Sequence, residues 1–156
     1  MSKKERKKYK QKWHIFSAPF NEARGLMEFL ADLSTLEEMM HYLRSEAARI
    51  EVDEKTVHKM ELACEEAIVN IISYAYPDQK GPLIITCSLK GHRFEIVLRD
   101  RGIPFNPIDV EVNPQIDKPV LERSIGGLGI YLIRKTIDEA YYQRIGNENV
   151  LRLTFS

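Results

Sequence analysis

Two helical stripes followed directly by a β-hairpin restrict this chain to folds in which a helical layer is made before most of the sheet that it covers. Leu36, Met39, Met40, Leu43 and Ala47 recur at helical spacing, and Ser34 opens a Ser-x-x-Glu capping box with Glu37, predicting a helix over about 35–49. Asp53 is the N-cap expected for a second, whose stripe runs through Val57, Met60, Cys64, Ala67, Ile68, Ile71 and Ile72 and ends near Tyr74, predicting about 54–75. Pro77, Asp78 and Gly81 stop it. Leu83–Leu89 and Phe94–Arg99 then read as strands joined at Lys90-Gly91-His92-Arg93. Ile130, Ile133 and Ile137 mark a third helix over about 128–137, and strands near 139–145 and 149–155 flank Gly146-Asn147. Trp13–Phe16 and Leu26–Leu33 are further candidate strands. This order is not a βαβαβ repeat. It predicts an α+β fold, a two-layer sandwich with three main helices on one face of a mixed, mainly antiparallel sheet.

With 156 residues, 44% of them hydrophobic, the chain can bury a core of its own. The formal charge of zero conceals an asymmetry. Residues 1–12 form a basic arm of seven Lys or Arg against Glu5, which leaves the remainder at minus six. An acidic body offers no continuous phosphate-tracking surface, so direct DNA binding is not expected. No apolar run approaches the roughly 20 residues of a membrane span, and the lysine-rich start lacks the apolar core of a secretion signal; a cytoplasmic protein without membrane contact is expected. His14, His41, His58 and His92 form no metal-spaced cluster with Cys64 or Cys87; Cys64 sits among the apolar residues of a helix and Cys87 alternates with apolar residues in a strand, which predicts buried thiols. Residues 13–156 are expected to be one domain, interrupted at about 106–125 by a lid loop in which Pro107, Pro114 and Pro119 break any period.

The chemistry concentrates in three places. Glu66 and Asn70 lie one helical turn apart and face the same way. An acid and an amide so placed suit a metal-bound phosphate, although a packed amide and a solubilising surface charge would produce the same letters. Glu65 points elsewhere on the helix. Asp100 and Gly102 follow a strand, where an acid can read a base, and Gly126-Gly127-Leu128-Gly129 opens the third helix, where backbone N–H groups can wrap phosphate. Together they indicate a nucleotide site, and no G-x-x-x-x-G-K-[ST] loop is present to make it a P-loop.

The order of these motifs resembles the ATP-binding domain shared by histidine kinases, Hsp90 chaperones and type II topoisomerases, and within it the bacterial anti-sigma-factor serine kinases. Glu65-Glu66-Ala67-Ile68-Val69-Asn70-Ile71-Ile72-Ser73-Tyr74-Ala75-Tyr76 matches the N box of that branch. Asp100-Arg101-Gly102-Ile103-Pro104-Phe105-Asn106-Pro107 matches its first glycine box, and Gly126-Gly127-Leu128-Gly129-Ile130-Tyr131-Leu132-Ile133 its second. Tyr74 departs from the histidine often found there. Pro104 replaces a glycine of the broader family but fits the anti-sigma branch.

The resemblance implies that Asn70 holds Mg²⁺ and so the phosphates of ATP, with Glu66 as the general base or water-orienting acid. It implies that Asp100 accepts from the adenine amino group, assisted through water by Thr154, and that Gly102 lets the backbone pass close to the ring. Gly126, Gly127, Leu128 and Gly129 would bind phosphate, with Arg123 as the lid cation. The implied activity is ATP-dependent serine/threonine protein kinase action on a small anti-anti-sigma antagonist, in a partner switch that also involves a sigma factor. The alternative is an ATP-binding module that sequesters a partner without phosphorylating it. The family further implies a homodimer, and Trp13, Ile15, Phe16, Phe20, Leu26, Met27 and Phe29 form an apolar segment suited either to its interface or to folding onto the chain's own sheet edge.

Overall fold

The computed structural model describes residues 25–106 and 134–156. Its elements are β1 (Leu26–Leu30), α1 (Leu36–Arg49), α2 (Glu54–Asn70), β2 (Pro82–Lys90), β3 (Arg93–Asp100), β4 (Glu139–Ile145) and β5 (Glu148–Phe155). A 3₁₀ turn at Leu33–Thr35 leads into α1, and a π turn at Ile71–Ala75 continues α2. Residues 134–136 are helical; the rest of the helix expected at 128–137 lies outside the described residues, as do the basic arm, the strand expected at Trp13–Phe16 and the greater part of the expected lid.

The strands form one sheet in the order β1-β2-β3-β5-β4, and every described pairing is antiparallel. Between β2 and β3 the chain turns at Gly91, whose φ of 63° is the left-handed conformation that a glycine adopts without a Cβ penalty. Register decides which residues share a face. Ile85 lies opposite Leu98, and Leu98 opposite Leu151; Cys87, Ile96 and Leu153 form the next row, and Phe94 faces Phe155. Period-two alternation puts all of these on the side covered by the helices.

That side holds the core. Met39, Met40, Leu43 and Ala47 of α1 and Met60, Cys64, Ala67 and Ile68 of α2 join it as the periodic stripes require. Truncating a fully buried side chain such as Met60 to alanine would cost roughly 2–5 kcal/mol in lost transfer energy and cavity. Burial pushes the Cys64 thiol well up and the Cys87 thiol up to about 12, so both behave as small apolar side chains.

Two local expectations change. Asp53 caps α2 as expected, its carboxylate accepting from the backbone N–H of Thr56 at 3.0 Å and from the Thr56 hydroxyl at 2.6 Å. Ser34 does not cap α1: Asp32 accepts from the backbone N–H of Ser34 at 2.8 Å and starts the 3₁₀ turn. An acid two residues earlier reaches the orphan N–H groups first. Phe29 is also not part of an open apolar patch, because it is buried in the core with its ring 5.8 Å from that of Tyr42. Leu26, Met27 and Leu30 of the same strand remain exposed.

Candidate nucleotide site

The end of α2 and the loop after β3 meet through their backbones. The Ile103 N–H donates to the carbonyl of Ala75 at 2.8 Å, and Gly102 sits so close that a Cβ there would lie 2.2 Å from the Ala75 oxygen. No side chain fits in that gap. Tyr76 adds a second tie, its hydroxyl donating to the Pro82 carbonyl at 2.5 Å and accepting the Arg101 N–H at 2.8 Å. The π turn carries the other half of the contact; such turns widen a helix locally and recur at functional sites. Two motifs thirty residues apart in sequence are therefore joined.

Asn70 is the last α-helical residue before that turn, and it is buried. Its Nδ2 has no hydrogen-bond partner among the described residues. Leaving a buried amide unpaired costs roughly 1–3 kcal/mol, a cost that a ligand bound at this corner would remove. A flip of the amide presents either N–H or carbonyl oxygen there. Glu66, one turn earlier, is half-buried; desolvation, followed by the nearby charge of Glu65, holds its carboxyl above the usual range. Glu65 itself is exposed. Among the described residues no cluster of three or more His, Cys, Asp or Glu could form a metal cage. An amide oxygen beside a carboxylate does fit Mg²⁺ that arrives with phosphates, because that ion keeps its waters and takes few protein ligands.

Asp100 ends β3 and is buried. Burial raises its pKa, while the Asn149 side chain, the Gly102 N–H and the charge of Arg144 oppose that shift. One oxygen, Oδ1, accepts from Gly102 N at 2.9 Å and from Asn149 Nδ2 at 2.8 Å. Its Oδ2 accepts from none of the described residues. On the rim, the rings of Tyr74 and Phe105 lie 5.6 Å apart.

Thr154 does not join Asp100, and the expectation that it assists there is corrected by the register. Asp100 pairs with Asn149, whereas Thr154 pairs with Glu95, roughly 17 Å further along the ladder at about 3.4 Å per residue and on the opposite face. The residue placed beside Asp100 is Asn149. A signal for it was present: in an antiparallel pair the end of one strand faces the beginning of the other. Arg123, Gly126, Gly127, Leu128 and Gly129 lie outside the described residues.

A sheet with its helices on one face, an unpaired amide at the end of the second helix and a strand-end acid followed by an obligatory glycine define a nucleotide-binding domain of the histidine-kinase type. The chain matches the histidine kinase-like ATPase domain family over residues 29–155 and belongs to it. Among named relatives, the serine-protein kinase RsbW of Bacillus thuringiensis (strain Al Hakam) is 36% identical over 86 residues, covering 53% of this chain and 54% of that protein. RsbW of Bacillus mycoides (strain KBAB4) is 37% identical over 83 residues, 51% of this chain and 52% of that protein. The chain thus spans about half the length of the curated relatives it matches. The solved RsbU and RsbW domains of Rv1364c from Mycobacterium tuberculosis superpose with a TM-score of 0.57 at 16% identity, over 83% of this chain and 32% of that one, a likeness of fold.

Proposed function

We propose that this protein is an ATP-dependent serine/threonine kinase that acts as an anti-sigma factor, phosphorylating a small anti-anti-sigma antagonist in a partner switch. The observation that supports the reading is the backbone junction of Ile103 with Ala75, which joins the turn after the helix of Glu66 and Asn70 to the loop after Asp100. The similarity to proteins named as serine kinases supports the choice among the functions of this fold.

In this reading Asp100 accepts from the exocyclic amine of adenine and Gly102 lets the loop lie flat against the ring. Asn70 holds Mg²⁺ by its carbonyl oxygen, and the ion supplies charge neutralisation on the phosphates. Glu66 accepts the proton of the incoming seryl or threonyl hydroxyl as that oxygen bonds to the γ-phosphorus, and the bond to the β–γ bridging oxygen breaks to release ADP. A carboxylate whose pKa is raised by burial is a better proton acceptor than a free one. Arg123 and the glycines at 126, 127 and 129 hold the outer phosphates.

The proposal extends to a cytoplasmic homodimer. Leu26 and Leu30 point outward from edge strand β1 with 56% and 49% of their surfaces exposed, and a two-fold partner using the same patch would cover both copies. No helix among the described residues is long and apolar enough to cross a membrane.

The test is transfer of labelled γ-phosphate. The chain, incubated with Mg·ATP and the antagonist domains of its own genome, should label one of them on serine or threonine. Tight ATP binding with no labelled antagonist would refute the kinase assignment.

A further inference from the structure

Asn149 uses every hydrogen-bonding position that its side chain has. Its Nδ2 donates to Asp100 Oδ1 and to the carbonyl of Ile103, both at 2.8 Å. Its Oδ1 accepts from the Tyr142 hydroxyl at 2.7 Å and from Arg144 Nη1 at 2.9 Å. Arg144 Nη1 also donates to the carbonyl of Gly102 at 2.8 Å. The residue is 2% exposed, so water does not replace a lost partner.

The amide cannot turn over. A flip would set its NH₂ against Arg144, which has only donors, and its oxygen against a carboxylate and a backbone carbonyl, which are only acceptors here. The orientation of Asn149 therefore constrains that of Asp100: Oδ1 is held from two sides, by Asn149 and by the Gly102 N–H, and Oδ2 is the oxygen that accepts from none of the described residues. We propose that Asn149, locked by Tyr142 and Arg144, is the positioning residue that makes Asp100 a one-sided, acceptor-only reader, selecting a purine with an exocyclic amine over one with an oxo group at that position.

The selection follows from pairing. An amine donates to the free carboxylate oxygen, whereas an oxo group meets it lone pair to lone pair, and a buried mismatch of this kind costs more than a missing contact. Without the Asn149 donor the Gly102 N–H alone orients the carboxyl, and burial raises its pKa against one hydrogen bond fewer, so a protonated carboxyl able to donate to an oxo group becomes easier to form. Arg144 and Glu148 are the charges that act on it from β4 and β5, with opposite effects. Loss of Asn149 should thus do more than weaken binding: it should blur the distinction between bases.

This inference rests on the reading of Asp100 as the base-recognition residue. Its test is competition of Mg·ATP and Mg·GTP against a fluorescent adenine nucleotide on the full chain, for the natural sequence and for Asn149→Ala, Tyr142→Phe and Asp100→Asn. Asn149→Ala should lower ATP affinity about tenfold, the scale of one buried charge-assisted hydrogen bond, and should narrow the ATP-to-GTP ratio. Tyr142→Phe, which removes one hydroxyl and little volume, should narrow it in the same direction by less, and decides the question if the alanine variant does not fold. A purely structural role would weaken both nucleotides equally. Folded Asn149 and Tyr142 variants with an unchanged ratio would overturn the inference while Asp100→Asn still loses discrimination; a natural chain that binds neither nucleotide would overturn the parent reading with it.

Discussion

The backbone N–H of Ile103 donates to the carbonyl of Ala75 at 2.8 Å, and this bond closes the gap between the helix that carries Asn70 and the strand that carries Asp100. Gly102 is the residue that permits it. Gly102→Ala would place a methyl 2.2 Å from the Ala75 oxygen and 2.5 Å from its Cβ, neither of them the end of a flexible side chain. Overpacking of this kind costs roughly 1–3 kcal/mol. Urea denaturation should show a loss of that order, and nucleotide affinity should fall because the loop is pushed off the helix; an alanine variant of unchanged stability and affinity would contradict the packing described.

Asn70 and Glu66 should separate by function. Asn70→Ala removes a hard oxygen ligand that a methyl group does not replace, so Mg²⁺-dependent ATP binding should be lost or much weakened in calorimetry. Glu66→Ala should leave ATP bound and depress phosphoryl transfer, by about 10²–10⁴-fold if it serves as a general base. Equal losses of affinity in both variants would reverse the assignment of roles.

The acid limb of the transfer rate should lie above the ordinary glutamate range, since desolvation and then Glu65 raise the Glu66 pKa. Activity needs the carboxylate, and therefore rises with pH through that raised value. The sign for stability is opposite: a carboxyl with a raised folded pKa favours the fold most below its unfolded value, and that contribution is lost as pH rises through the folded one. Glu65→Gln removes the second cause and should move the acid limb to lower pH. A limb that does not move would exclude Glu66 as the titrating base or Glu65 as its perturber.

Dimerisation should depend on β1. Sedimentation of the full chain at micromolar concentration should give a dimer, and Leu26→Lys with Leu30→Lys should shift it toward monomer, since both side chains lie on the exposed face of an edge strand. A version lacking residues 1–25 then locates the interface: a dimer lost on truncation assigns it to the N-terminal segment. A monomer for the unaltered chain removes the claim.

Much of this was legible in the sequence because periodicity is a local signal. The stripes of α1 and α2 and the alternation of β2 and β3 are written in neighbouring letters, and most of the residues that they mark are buried, with Leu36, Val57 and Ile72 half-buried against the core. Asp53 was legible as a cap for the same reason, whereas Ser34 lost to Asp32, a competition between adjacent acceptors that spacing alone does not rank. Register is different. It depends on which strand pairs with which and in what direction, so the resemblance points to Thr154 as the partner of Asp100 whereas the ladder puts Asn149 there. Tyr142, Arg144 and Asn149 belong to no motif, and their convergence on Asp100 exists only in three dimensions.

The most direct test of a single site built from the end of α2 and the loop after β3 is a calorimetric titration of Mg·ATP into the full chain, repeated with Asp100→Ala. The natural chain should bind with saturation at one nucleotide per subunit, and the variant should bind more weakly by roughly 1–3 kcal/mol, the cost of leaving a buried donor unpaired. A natural chain that takes up no ATP in magnesium, or an Asp100→Ala variant that binds it with undiminished affinity, would contradict the account.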